Sequence, residues 1–131
     1  MTIPIGTKLE QNVLVDDAVA INFLGVSGAR VLATPFMIGF MERTCRDAVL
    51  PLLESGYDTV GTHVDVYHLA ATPMGMPVKF TAEVIAVENR RVTFKVEAWD
   101  ARGKAGEGTH ERAIINVERF AAKMQSKAEA K

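Results

Sequence analysis

The chain of 131 residues holds a single cysteine, Cys45, so no disulfide can form within it and no cysteine cluster can hold zinc. A reducing, cytoplasmic setting is the expectation from that count. Charge of one sign is not in excess: 15 Lys and Arg stand against 16 Asp and Glu, a formal net charge of −1, with both signs mixed along the chain. That balance excludes the basic footprint of a nucleic-acid binder and the polybasic patch of a membrane-surface protein. Long apolar runs are missing as well. No stretch approaches the roughly 20 residues needed to span a bilayer, and Met1-Thr2-Ile3-Pro4-Ile5 has no basic flank leading into an apolar core. Without internal repeats, low-complexity tracts or linkers, residues 1–131 read as one soluble domain, long enough to bury its own core.

What is present is organised around Thr34-Pro35-Phe36-Met37-Ile38-Gly39-Phe40-Met41-Glu42-Arg43-Thr44-Cys45. Thr34 reads as an N-cap and Pro35 as the first helical residue, where a missing N–H costs nothing. The helix is predicted to run to about Leu50, because Pro51 disfavours helical conformation in the residue before it. At 3.6 residues per turn, Met37, Ile38, Met41, Cys45, Ala48, Val49 and Leu52 fall on one apolar side, with Arg43, Arg46 and Asp47 opposite. Glu42 is the exception: it lies on the side of Ile38 and Val49, where a carboxylate must find a partner, shift its pKa or face a cavity.

A first strand is predicted over Lys8–Val15, then a loop or short helix over Ala18–Ala33, broken by Gly25 and Gly28. Past Thr59 the composition turns to β-branched and aromatic residues. Strands are predicted over Thr59–Leu69, with Val60, Thr62, Val64, Val66 and His68 on one face, and over Val78–Val87, Val92–Trp99 and Ala105–Val117, with a short terminal helix after Glu118. One strand, one long apolar helix and four consecutive strands describe an α+β domain in which an antiparallel sheet wraps a central helix, the order of the hotdog fold. That fold is commonly completed by a second copy, so a homodimer is expected.

Three groups are candidates for chemistry: Thr34, Glu42 and His68. Each also has a structural reading, as an N-cap, a salt-bridged acid and a hydrogen-bonded strand histidine. His63 and His110 are further titrating groups, and Cys45 reads as core. Thr34 and Glu42 are eight residues apart, about 12 Å along a helix axis, too far for direct contact. A site using both needs a substrate that spans them, an approach from His68, or Glu42 from a second copy. Free N–H groups around Phe36 and Met37 are candidate donors to an oxyanion. No ligand cluster calls for a metal.

Beyond these local readings, the chain resembles the fluoroacetyl-CoA thioesterase family of hotdog hydrolases. The likeness is carried by Phe36-Met37-Ile38-Gly39-Phe40-Met41-Glu42, by Ala70-Ala71-Thr72-Pro73 after His68, and by Gly108-Thr109-His110-Glu111-Arg112-Ala113 leading into Val117-Glu118-Arg119-Phe120. It implies hydrolysis of a small acyl-CoA without a cofactor, with Thr34, Glu42 and His68 as catalytic residues and Gly61 and Arg112 as substrate contacts. Where the family carries an aromatic lid before the helix, this chain has Leu24-Gly25-Val26-Ser27-Gly28-Ala29, so the likeness implies the hydrolase class without fluoroacetyl specificity. A hotdog hydratase or dehydratase and a non-catalytic acyl-CoA-binding module are the alternatives.

Overall fold

The structure is a computed structural model describing residues 1–130. Its elements are β1 (Lys8–Leu14), α1 (Thr34–Val49), β2 (Tyr57–His68), β3 (Pro77–Glu88), β4 (Arg91–Asp100), β5 (Gly103–Asn116) and α2 (Val117–Ala128). The five strands form one antiparallel sheet in the order β1-β3-β4-β5-β2. The sheet packs around α1, the expected α+β arrangement. No helix among the described residues is long and apolar enough to cross a membrane.

The core follows from two periodicities meeting. On β3, Val78, Phe80, Ala82 and Val84 alternate inward, and on β4 Val92, Phe94, Val96 and Ala98 do the same; all are fully buried. Against them lie Met37, Met41, Cys45 and Val49, spaced i,i+4 along one stripe of α1. The stripe is narrower than the sequence predicts. Ile38 and Glu42 are half-buried, and Leu52 is exposed in a 3₁₀ turn over Leu50–Leu52 that Pro51 imposes beyond the last α-helical residue.

Ala18–Ala33 is a loop, as one of the two readings has it, with a 3₁₀ turn at Ser27–Ala29 and isolated bridges, Ala20 to Leu32 and Val31 to Pro73, that tie it down. One further expectation needs correction. In β2 the proposed face of Val60, Thr62, Val64, Val66 and His68 is broken. Gly61 pairs with Arg112 and His63 with Glu111, so Thr62 is an extra residue that shifts the register against β5. A one-residue slip reverses the faces. Thr59 and Gly61 point toward α1 before the bulge, and Val64, Val66 and His68 after it.

β2 is an edge strand, bonded only to β5. Its start is clamped to the end of α1 by the Arg46 guanidinium, whose Nε and Nη2 donate to the Asp58 carboxylate at 2.9 and 2.7 Å. These bonds hold the Asp58 pKa below its ordinary value. A lowered carboxylate pKa contributes stability that is complete above the unfolded value, about pH 4, and is lost as pH falls through the folded one. With the pair partly solvated, Asp58→Asn is expected to cost about 1 kcal/mol at pH 7 and less at about pH 3, below the unfolded carboxyl's pKa. Urea unfolding at both pH values checks this, and an equal loss at both would contradict it.

Candidate active site

Five side-chain positions singled out in the sequence fall into two groups on the α1-facing side of β2. At the first turn of α1, Thr34 is the first helical residue and Ala33 the N-cap, with no side-chain capping bond. The Thr34 hydroxyl is therefore free of the capping role expected of it. It lies 2.6 Å from His68 Nδ1, at the end of β2. Read as Thr34 O–H donating to Nδ1, this bond leaves the proton of the neutral imidazole on Nε2, which is buried without a hydrogen-bond partner among the described residues. Burial holds the His68 pKa below its ordinary value, favouring the neutral ring. The expected free amides of Phe36 and Met37 are not free: both donate to the Ala33 carbonyl, at 3.0 Å each.

Two turns along α1 is the second group. Glu42 Oε1 lies 3.9 Å from His110 Nε2. His110 and Arg112 share the inward face of β5, at 1 % and 5 % exposure, while the Glu42 side chain is 42 % exposed. Arg112 donates from Nε to Thr59 Oγ1 at 2.7 Å, from Nη2 to the Thr59 carbonyl at 2.8 Å, and from Nη1 to His110 Nε2 at 3.2 Å. His110 Nδ1–H donates to the His63 carbonyl at 2.8 Å. Accepting at one nitrogen and donating at the other, the ring is neutral, and burial pushes its pKa down accordingly. Gly61 lies beneath the Glu42 carboxylate, where a Cβ would collide with Oε1 and approach His110 Cε1 to 3.2 Å.

Glu42 and His68 thus make no ion pair within one chain. Glu42, Gly61 and Arg112 come together, Thr34 and His68 come together, and the two groups remain separate along α1. Cys45 is fully buried behind Glu42, and burial pushes its thiol up to about 12, which rules out a thiolate at neutral pH. His63 is on the outer face, 3.5 Å from Glu111. The residue that sequence reasoning did not place is His110. Its i,i+2 spacing to Arg112 in a strand was the available signal, since it puts both on one face.

An antiparallel sheet wrapped around one long helix, with an acid and a hydrogen-bonded hydroxyl–imidazole pair on one side of it, is the architecture of the hotdog-fold thioesterases. Residues 15–118 match the fluoroacetyl-CoA-specific thioesterase family, and the chain belongs to that family. It is 48% identical over 100 residues to the fluoroacetyl-CoA thioesterase of Streptantibioticus cattleyicolor, covering 76% of this chain and 72% of that one. A solved fluoroacetyl-CoA thioesterase superposes with a TM-score of 0.87 at 38% identity, over 97% of this chain and 98% of the other. A thioesterase-superfamily member from Thermus thermophilus gives 0.88 at 32% identity, over 98% and 95%.

Gly61→Ala is the direct test of the geometry at Glu42. The added Cβ must displace the carboxylate, the far end of a flexible side chain, so the fold should survive while thioester hydrolysis falls about 10²-fold, as for a misplaced catalytic group. An unchanged rate in the folded variant would show that the Glu42 position is irrelevant to turnover.

Proposed function

We propose that the protein hydrolyses a small acyl-CoA to the free acid and CoA, at a site completed by a second copy of the chain. The observation that carries this reading is the Thr34 Oγ1–His68 Nδ1 hydrogen bond of 2.6 Å together with the unpartnered, buried Nε2 of the same ring. A base needs a nucleophile on one nitrogen and an orienting acceptor on the other. Here the first is present and the second is lacking within the chain. Glu42 supplies a half-exposed carboxylate on the same side of the sheet.

A dimer through β2 reconciles the two groups. β2 is twelve residues long with an open edge, and Phe36, Val64, Tyr67 and Leu69 are exposed on or beside it. Antiparallel pairing of two β2 edges about an axis at Asp65, with Thr62 bulged out of the register, sets Gly61 of one chain opposite His68 of the other. Glu42 above Gly61 then lies on the side of the second chain's His68, whose Nε2 lacks a partner.

In the proposed reaction the Thr34 hydroxyl attacks the thioester carbonyl while His68 Nδ1 takes its proton. Glu42 stabilises the imidazolium. The tetrahedral intermediate collapses, the C–S bond breaks, and the imidazolium returns the proton to the thiolate. Water then attacks the Thr34 ester with His68 again as base, releasing the acid and restoring the hydroxyl. The reading stops at a small acyl group rather than fluoroacetyl, because Leu24–Ala29, before α1, holds no aromatic residue.

Thiol release across short, branched, aromatic and fluorinated acyl-CoAs tests this directly. His68→Ala should lower turnover by about 10²–10⁴, and Thr34→Ala should abolish a covalent acyl adduct that Thr34→Ser retains. In Glu42→Gln, with the counter-charge gone and burial of His68 unopposed, the acid limb of kcat/KM should move to lower pH. Substrate loss without thiol would instead indicate a hydratase. Tight binding without turnover, unchanged in the variants, would indicate a binding module.

A further inference from the structure

Arg112 is a buried cation beside a carboxylate, yet the two form no ion pair among the described residues. Burying an arginine is costly unless it is paired or fully hydrogen-bonded. The obvious partner is Glu42: a Cβ built on Gly61 would meet Glu42 Oε1 and, at 3.5 Å, Arg112 Nη1, so both groups border the same small space. Instead, Nε, Nη2 and Nη1 are committed to three neutral acceptors, Thr59 Oγ1, the Thr59 carbonyl and His110 Nε2.

His110 is able to accept only because its tautomer is fixed. The His63 carbonyl takes the proton of Nδ1 at 2.8 Å, so Nε2 presents a lone pair. The ring itself is immobilised at 1 % exposure, stacked on Phe94 with centroids 6.4 Å apart. The His63 carbonyl lies immediately after the β2 bulge at Thr62, so the backbone irregularity and the tautomer belong to one construction.

We infer that His110 is a positioning residue: with Thr59 it holds Arg112 off Glu42 and so keeps the carboxylate free to serve the hydroxyl–imidazole pair. The inference rests on Glu42 being the carboxylate of the proposed site. An arginine folded bidentately onto Glu42 would take one lone pair on each oxygen and neutralise the charge that an incoming imidazole is to meet. Held away, Arg112 still contributes a positive field without occupying the lone pairs. The other titratable and charged groups that act on the His110–Arg112 pair beside Glu42 are Cys45 and Arg46 of α1 and Asp58 and His63 of β2, joined in the proposed dimer by the second chain's His68. Cys45 is neutral at ordinary pH, and Arg46 is committed to Asp58. Arg112 is therefore the cation free to change partners when its acceptor is removed.

The test measures the Glu42 carboxyl itself, by ¹³C NMR titration of glutamate-labelled protein, with the resonance assigned through its loss in Glu42→Gln. In His110→Leu, which removes the acceptor, Arg112 should turn onto Glu42 and lower its midpoint by about 1–3 pH units, as for a carboxylate gaining an arginine. His110→Gln keeps an oxygen acceptor near Nε2 and should restore the midpoint toward wild type. Thr59→Val, nearly isosteric, removes one acceptor and should shift the midpoint in the same direction by less; it decides the matter if His110→Leu does not fold. A midpoint unchanged in folded His110→Leu, or in Thr59→Val where only that variant folds, would overturn the inference. The NMR readout does not depend on turnover. A shifted midpoint in a protein that hydrolyses no thioester would keep the clamp and remove the proposed function.

Discussion

One extra residue, Thr62, decides which side chains of β2 face α1. Gly61 and His68 are seven residues apart, an odd interval that in a regular strand would put them on opposite faces of the sheet. The bulge restores them to the same face. Without it, either the Glu42 carboxylate would lose the Cβ-free floor beneath it or the imidazole would turn to the outer surface, away from Thr34. A rigid helix fixes the other half of the geometry, since Thr34 and Glu42 are held about 12 Å apart along its axis. Bulge and helix together place two half-sites on one side of the sheet and keep them from closing on each other.

The half-sites differ in how their polar groups are satisfied. Around Glu42 the buried groups form a closed network in which each bonded nitrogen of Arg112 and both nitrogens of His110 have partners. Such a network is stable only when complete, because an orphaned buried polar group costs about 1–3 kcal/mol. At the Thr34 end the opposite holds: His68 Nε2 is buried and unpartnered. An unmet hydrogen-bonding group in an otherwise satisfied structure points to something that arrives from outside the chain. In the proposed dimer it is a carboxylate from the second copy, which the clamp on Arg112 leaves available.

Much of the fold was legible in the sequence. The strand, long helix and four-strand order are set by hydrophobic period and turn chemistry, and the helix and strand boundaries fall within two residues of expectation. The family was legible as well, through Phe36–Glu42 and the stretch around His110 and Arg112. What escaped is what tertiary context alone decides. Thr-Pro reads as a cap and first turn, but helix winding starts one residue earlier, at Thr34 itself, and frees the hydroxyl for a strand 34 residues away. The amides of Phe36 and Met37 looked open because first-turn amides usually are, yet the Ala33 carbonyl takes both. The one local signal of the bulge is Gly61, since a glycine inside a strand pattern marks a bulge or a close approach; simple alternation through it gives the wrong face to the residues before it relative to His68.

Subunit mixing is the most direct test of a site shared between chains. Glu42→Gln and His68→Ala proteins, each folded and each far below the wild-type turnover on its preferred acyl-CoA, are combined under conditions of confirmed subunit exchange. With random pairing, half of the dimers carry one intact site of two, so turnover should return to about a quarter of the wild-type rate. A mixture that exchanges subunits and stays as slow as its parents would contradict the shared site and place Thr34, Glu42 and His68 in a single chain's chemistry.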